Sequence, residues 1–129
     1  MRKTATLSAI ALCLMTGTAW VSAQEAFVRA PLQKSEYPAG YETHIMLVTS
    51  APGALLPRHT HPGVEMSYVV EGELTVTIEG KADLVVKAGS SFSVPPGVAH
   101  SAKNTASIPT KVLATFVIER GKPIASPAP

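Results

Sequence analysis

Two histidines and a glutamate within seven residues are the part of this chain best suited to chemistry: His59, His61 and Glu65. In a β-strand the His-x-His spacing places both imidazoles on one face, about 6.5–7 Å apart along the strand. Pro62-Gly63 predicts a turn with positive φ at the glycine, after which a returning strand brings Glu65 back to the same point. Two ring nitrogens and a carboxylate oxygen are typical ligands of a divalent transition metal. Taken alone, the stretch also fits surface histidines beside a turn.

Two further histidines complete the set of candidate site residues. His100 follows Pro96-Gly97, a pair typical of a type II turn, and begins a predicted strand. His44 lies in an earlier predicted strand and shares a face with Met46. If that face lines the interior, His44 is a candidate to hydrogen-bond a metal ligand or to act as an acid–base group near the metal. The alternative is a surface or hydrogen-bonded histidine.

The N-terminal segment, residues 1–23, has the pattern of a cleaved signal peptide. Arg2 and Lys3 precede an apolar run from Leu7 to Trp20, and Val21-Ser22-Ala23 offers a cleavage site before Gln24. The apolar run is shorter than the roughly 20 residues that a membrane-spanning helix needs. We therefore expect a secreted or periplasmic protein with no membrane association after processing.

Removal of this segment changes the charge balance of the chain. Nine basic residues then face nine acidic ones, and the formal net charge falls from +2 to zero. This balance indicates no nucleic-acid partner. The only cysteine and the only tryptophan, Cys13 and Trp20, are also lost. A domain this small without disulfides needs another source of stability, such as a bound metal or a subunit interface.

Short β-rich segments separated by Gly and Pro predict a single all-β domain, a sandwich or barrel. Residues 24–40 are expected to form an N-terminal arm in which Phe27-Val28 could add a short edge strand. Residues 41–119 are expected to form the barrel. Residues 120–129, rich in Pro and Ala, are expected to be extended or disordered. The predicted strands are Tyr41–Ser50, Leu55–His61, Glu65–Glu71, Leu74–Glu79, Leu84–Lys87, Ser91–Val94, Ala99–Lys103 and Thr110–Glu119.

One predicted strand is apolar on both faces. Met66, Tyr68 and Val70 alternate with a second set of largely apolar residues, whereas a sheet with one solvated face normally alternates polar and apolar residues. No predicted helix is available to cover the outer face. Because large exposed apolar patches are uncommon in monomers, we predict a homodimer.

The two histidine-containing stretches resemble the two sequence motifs of the cupin superfamily. Ten motif positions match without a slip in spacing. The first motif corresponds to Gly53, His59, His61, Glu65 and Gly72. The second corresponds to Gly89, Pro95, Gly97, His100 and Asn104. The resemblance covers about Tyr41 to Glu119 and is to the small single-domain cupins of the type 2, quercetinase-like kind.

This resemblance implies a jelly-roll β-barrel in which His59, His61, Glu65 and His100 bind one divalent transition metal ion. Fe, Mn, Ni, Co, Cu and Zn all suit such ligands, so the metal identity stays open. An octahedral ion would keep two positions for a small-molecule substrate. The expected activity is that of a metal-dependent oxygenase (dioxygenase). A metal-dependent lyase, decarboxylase or isomerase, or a non-catalytic binding protein, remains the alternative.

Overall fold

A computed structural model describes residues 26–129, which form an all-β domain, as predicted. The predicted signal peptide (residues 1–23) lies outside these residues. Within 26–129 there is no helix long and apolar enough to cross a membrane. The strands are β1 (Phe27–Ser35), β2 (Tyr41–Ser50), β3 (Leu55–Thr60), β4 (Gly63–Glu71), β5 (Glu73–Ile78), β6 (Leu84–Lys87), β7 (Ser91–Val94), β8 (His100–Asn104), β9 (Thr110–Glu119) and β10 (Ser126–Pro127).

The strands form two five-stranded antiparallel sheets. The first sheet has the order β1-β2-β9-β4-β7 and the second the order β10-β3-β8-β5-β6. Along β9, residues alternate between buried and half-buried, because successive side chains of a strand point to opposite faces. Val69, Val76 and Val112 belong to an apolar cluster that the two sheets enclose, and Phe116 and Ile118 to a second, smaller cluster. The space between the sheets is therefore mainly apolar, although polar residues such as Asn104 and Thr110 are also buried in the domain.

The N-terminal arm contributes more structure than the sequence predicted. Instead of a short strand at Phe27-Val28, β1 runs over nine residues and pairs with most of β2. Without β1, this edge of β2 would expose a row of unpaired backbone donors and acceptors. Pro31 is tolerated because β1 is an edge strand, and the register shifts just after it.

In this structure residues 120–129 form an extended and partly paired tail, so the disordered alternative is not met. Ser126 and Pro127 pair with Thr60 and His59 of β3. The Ala128 amide donates to the Arg58 carbonyl at 3.1 Å. These hydrogen bonds cover the free edge of β3, which a composition-based prediction cannot detect because the partners lie far apart in the sequence.

The turn before β4 differs from its prediction in one respect. Gly63 is the first residue of β4 and does not have the expected positive φ. Its role is close approach, because a Cβ atom at this position would collide with the Val117 carbonyl of β9. Gly97 does have a positive φ of 73°, as expected for its turn. The absence of a side chain at Gly63 thus lets β4 approach β9 two residues before Glu65.

Asn104, the last residue of the second motif, supports the fold and does not line the interior cavity described below. It is fully buried, and its Nδ2 donates to the Ser50 and Ile108 carbonyls, each at 3.0 Å. Its Oδ1 accepts from the Ala106 amide at 2.9 Å. The amide side chain therefore ties the β8–β9 loop to the end of β2.

The homodimer remains a prediction, and the structure defines the surface that would form it. Met66, Tyr68 and Val70 on the outer face of β4 are 48%, 47% and 50% exposed. If a second copy covers this face, Tyr68→Glu should shift the protein from dimer to monomer, because a buried unpaired carboxylate is costly. Sedimentation velocity over a range of concentrations measures this change.

Leu84→Glu provides the matched control. Leu84 is 43% exposed but lies on β6 of the opposite sheet, so its replacement should leave the dimer intact. A wild-type protein that sediments as a monomer at all concentrations would contradict the prediction.

Candidate metal centre

Strand pairing brings the candidate ligands from three separate stretches to one point. His59 near the end of β3 lies directly opposite His100 at the start of β8. His61 follows β3, and Glu65 lies on β4 in the other sheet. All four side chains are buried, with between 2% and 7% of each residue exposed. The sandwich therefore collects all four predicted residues in its interior.

The three imidazoles are close enough to bind one ion. A ligand nitrogen from each of His59, His61 and His100 lies within 4.8 Å of the other two. Their ring centroids are 4.1–4.9 Å apart. Ring nitrogens suit most first-row transition metals, so these three histidines could hold a metal ion.

A backbone carbonyl fixes the orientation of each imidazole. Because a carbonyl oxygen can only accept, the Nδ1 atom carries a proton, and Nε2 is the nitrogen that can bind a metal when the ring is neutral. Such bonds orient a metal-binding histidine and raise its basicity. The three bonds run from His59 to Pro57 (2.7 Å), from His61 to Ile124 (2.6 Å) and from His100 to Val98 (3.1 Å).

The Glu65 carboxylate completes the cluster. Its Oε2 lies 3.0 Å from Nε2 of His61 and 3.1 Å from Nε2 of His100. Ser67 donates its hydroxyl to the other carboxylate oxygen at 2.6 Å. An oxygen and two nitrogens that all present lone pairs repel one another unless a proton or a cation lies between them. Metal bonds of about 2.1 Å at right angles separate adjacent ligand atoms by about 3.0 Å, so the observed spacing fits a metal ion.

The pKa values agree with this donor chemistry. Burial, and to a lesser extent the neighbouring His100, lower the pKa of His59 to about 4, so the ring is neutral at pH 7. Burial by itself would raise the pKa of Glu65, but hydrogen bonds that His100, His61 and Ser67 donate to the carboxylate outweigh burial and hold this pKa well below its ordinary range. A neutral imidazole and an ionised carboxylate are the forms that bind a metal.

The cluster lines a small cavity, which we call the inner cavity, of about 50 Å³. Its remaining walls are mainly apolar and include Val112, Ala114 and Phe116, whose ring packs 4.9 Å from that of His61. A wider space of about 300 Å³, the mouth, adjoins it and is partly formed by the C-terminal tail at Ile124–Pro127. Arg29 and His59 line both spaces. A ligand would reach the histidines past the tail.

His44 lies away from the cavity, although it is on the inward side of its sheet. His44 of β2 lies opposite Phe116 of β9, and Phe116 lies opposite Glu65 of β4. Strand β9 therefore separates His44 from Glu65. The Nε2 atom of His44 contacts the Glu42 carboxylate at 3.1 Å. In the described part of the chain it makes no hydrogen bond to any of the four clustered residues. The geometry favours the hydrogen-bonded alternative for His44.

The bond from Ser67 to Glu65 follows from strand alternation, which places residues two apart on one face. Two other contributions to the site do not follow from the sequence patterns. The Ile124 carbonyl comes from the tail expected to be extended or disordered, and Arg29 from the arm expected to be mostly irregular. No local pattern marks a backbone carbonyl as the partner of a histidine 63 residues away.

The bond from His61 to the Ile124 carbonyl yields a test of the tail. Deletion of residues 123–129 removes this acceptor while leaving all candidate ligands in place. Because loss of such a supporting bond typically lowers metal affinity about 10–100-fold, the truncated protein should bind Zn(II) more weakly by that factor. Competition with a chelator measures the affinity.

Arg58→Gln is the control for this truncation. It removes the side-chain bond to the Pro129 carbonyl but leaves the Ile124 carbonyl and the β10 pairing available. Zinc affinity should then stay within about threefold of wild type, a change smaller than the loss of about 10–100-fold that follows removal of a supporting hydrogen bond. Unchanged affinity in the truncated protein would show that the tail does not support the site.

Comparison with known proteins agrees with this fold. A family model for the cupin domain matches residues 46–116, more than half of the chain. Germin-like protein subfamily 2 member 1 of Arabidopsis thaliana is 39% identical over 71 residues, which cover 51% of this chain and 32% of that protein. Nectarin-1 of Nicotiana plumbaginifolia is 41% identical over 71 residues, 51% of this chain and 31% of the relative. The chain thus spans about a third of the length of these relatives.

Solved structures show the same architecture. A recombinant oxalate oxidase in complex with glycolate superposes with a TM-score of 0.64 at 27% identity, over 79% of this chain and 55% of the oxidase. A DMSP lyase from Ruegeria pomeroyi superposes with a TM-score of 0.70 over 88% of this chain and 56% of the lyase, but at 19% identity it shows the fold alone. The motif match, the family match and the two-sheet structure agree: this chain belongs to the cupin family.

Proposed function

We propose that the protein is a metal-dependent cupin oxygenase that acts on a small organic molecule. One divalent transition metal ion would be held by His59, His61, Glu65 and His100. The observation that supports this proposal best is the meeting of lone pairs on the Glu65 oxygen and the imidazole nitrogens at 3.0–3.1 Å. Such a cluster, buried from water, needs shared protons or a bound cation at its centre.

The four residues leave an ion with open coordination positions. A closed structural zinc site usually uses cysteine, which the chain lacks outside the predicted signal peptide. When bound, the metal supplies a Lewis acid or redox centre at which substrate and dioxygen can meet. The protein contributes orientation, through the three Nδ1 bonds and the Ser67 hydroxyl. The apolar walls exclude water from the reacting groups.

The relatives support a small organic substrate. The oxalate oxidase structure holds glycolate, a two-carbon hydroxy acid. At 27% identity, and with just over half of that enzyme covered, the likeness supports the class of chemistry and not the particular substrate. The metal also stays open, because the general affinity order favours copper and zinc whichever ion performs the reaction.

The proposed location is the periplasm or the exterior of the cell. It depends on the signal-peptide pattern of the N-terminal segment. Export by the general secretory route would let the chain acquire its metal after leaving the cytoplasm. The neutral charge balance of the processed chain fits a small-molecule enzyme with no nucleic-acid partner.

Replacement of single histidines tests the proposed ligand set. His100→Ala should lower metal affinity by more than the roughly 10–100-fold lost with a supporting hydrogen bond, because it removes a ligand itself. His44→Ala is the matched control and should leave affinity nearly unchanged, since His44 contacts Glu42 instead of the cluster. Elemental analysis and chelator competition provide the readout. Equal losses in both variants would make His44 a ligand and the assignment wrong.

Dioxygen consumption tests the proposed reaction. Protein reloaded separately with Fe(II), Mn(II), Cu(II), Ni(II), Co(II) or Zn(II) should consume dioxygen with at least one small phenol or hydroxy acid. The uptake should disappear in His100→Ala. Product formation without dioxygen would instead indicate a lyase, decarboxylase or isomerase. Metal binding with no turnover of any substrate would indicate a binding protein.

A further inference from the structure

Arg29 occupies an unusual place for a cationic side chain. It lies on β1 opposite Val48 of β2, and Val48 packs against the apolar core from the inward face of the sheet. Because directly opposite residues in an antiparallel pair share a face, Arg29 also points inward. It lines both the inner cavity and the mouth, as does the candidate ligand His59. The guanidinium therefore stands where a ligand would pass on its way to the histidines.

The charge of Arg29 has no close partner among residues 26–129. No carboxylate of this region lies within 4.0 Å of it, and no side-chain hydrogen bond satisfies its donors there. The other arginines of this region are paired, Arg58 with Glu79 at 3.0 Å and Arg120 with Glu36 at 3.1 Å. The half-buried guanidinium keeps its donors open to solvent, so a ligand in the cavity could accept hydrogen bonds from them.

Arg29 remains a cation despite its partial burial. Burial lowers the pKa of Arg29, while the negative charge of Glu65 acts in the opposite direction. An arginine remains protonated at neutral pH under such shifts. A divalent ion beside Glu65 would leave the cavity with a net positive charge, and Arg29 adds to it. The cavity would thus attract an anion.

We propose that Arg29 binds the carboxylate of the substrate and selects small organic acids over neutral analogues. The proposal rests on the proposed metal site, since the substrate would reach from Arg29 to the metal. The planar guanidinium can bind a carboxylate with two parallel hydrogen bonds. Arg58, although adjacent to His59 in sequence, cannot serve this purpose because it pairs with Glu79 on the exterior.

The size of the two spaces limits the ligand. An inner cavity of about 50 Å³ admits only a few non-hydrogen atoms, whereas the mouth of about 300 Å³ can hold the rest of the molecule. Arg29 lies where the two spaces meet. The fitting ligand is a short carboxylic acid with a second oxygen donor, and a larger substituent would extend into the mouth.

Calorimetric titration of the Zn(II)-loaded protein with glycolate and glycolamide tests the proposal without any turnover. Glycolamide has the same shape but lacks the negative charge. Arg29→Gln should weaken glycolate binding by at least about tenfold, the loss expected for hydrogen bonds to a charged group. Glycolamide binding and zinc content should stay at wild-type values. Arg29→Lys keeps the charge without the planar fork and should show an intermediate preference for glycolate.

Arg120→Gln is the matched control, because Arg120 pairs with Glu36 at the surface, and it should retain the full preference for glycolate. An Arg29→Gln protein that keeps the wild-type preference, or that loses both ligands equally, would overturn the proposal. Should Arg29→Gln fail to fold, the Zn(II)-loaded Arg29→Lys protein decides, because it keeps the charge and loses the planar fork. A weaker preference for glycolate supports the proposal, and a preference equal to that of the wild type overturns it. If the proposed metal site is wrong, the wild-type protein will fail to retain zinc, and this result is distinct from a change in glycolate preference.

Discussion

The site depends on one constraint: imidazole nitrogens and a carboxylate oxygen lie close together in a buried cavity. Nε2 of His61 and Nε2 of His100 lie 3.0 and 3.1 Å from one oxygen of Glu65. Each imidazole has its Nδ1 proton directed to a backbone carbonyl. The remaining lone pairs point at one another, and this arrangement needs a cation or shared protons to be stable. Because the Nδ1 hydrogen bonds hold the imidazoles in place, the rings cannot turn away to relieve this repulsion.

The fold meets this constraint by joining segments that are distant in the chain. Pairing of β3 with β8 sets His59 opposite His100, and Gly63 lets β4 approach β9 so that Glu65 faces the same cavity. The tail adds the carbonyl that orients His61. Apolar residues fill the interior beyond the cluster. Because charges interact more strongly where water is excluded, these walls are part of the chemistry as well as of the stability.

The two arginines nearest the site show how placement decides function. Arg58 is the immediate neighbour of His59, yet strand alternation directs it outward to Glu79 and to the end of the tail. Arg29 is distant from His59 in the sequence, yet it lines the same cavity because β1 extends the inner face of the first sheet. Sequence proximity to a metal ligand is thus a poor guide to substrate contact.

Much of this protein could be predicted from its sequence because the signals are local. Strand periodicity and turn residues depend on neighbours within a few positions, and they predicted the all-β fold and most strand boundaries. His59, His61 and Glu65 also lie close in the sequence, but His100, 35 residues from Glu65, joined the predicted cluster through the resemblance to the two cupin motifs. Tertiary structure alone decided three matters: the order of the tail, the bond from His44 to Glu42, and the position of Arg29 in the cavity. The order of the tail and the position of Arg29 depend on strands at the edge of a sheet. The bond from His44 depends on which side chain pairs with it on the inward face. Backbone pairing at an edge uses groups that every residue has, so only the folded chain shows which segment supplies them.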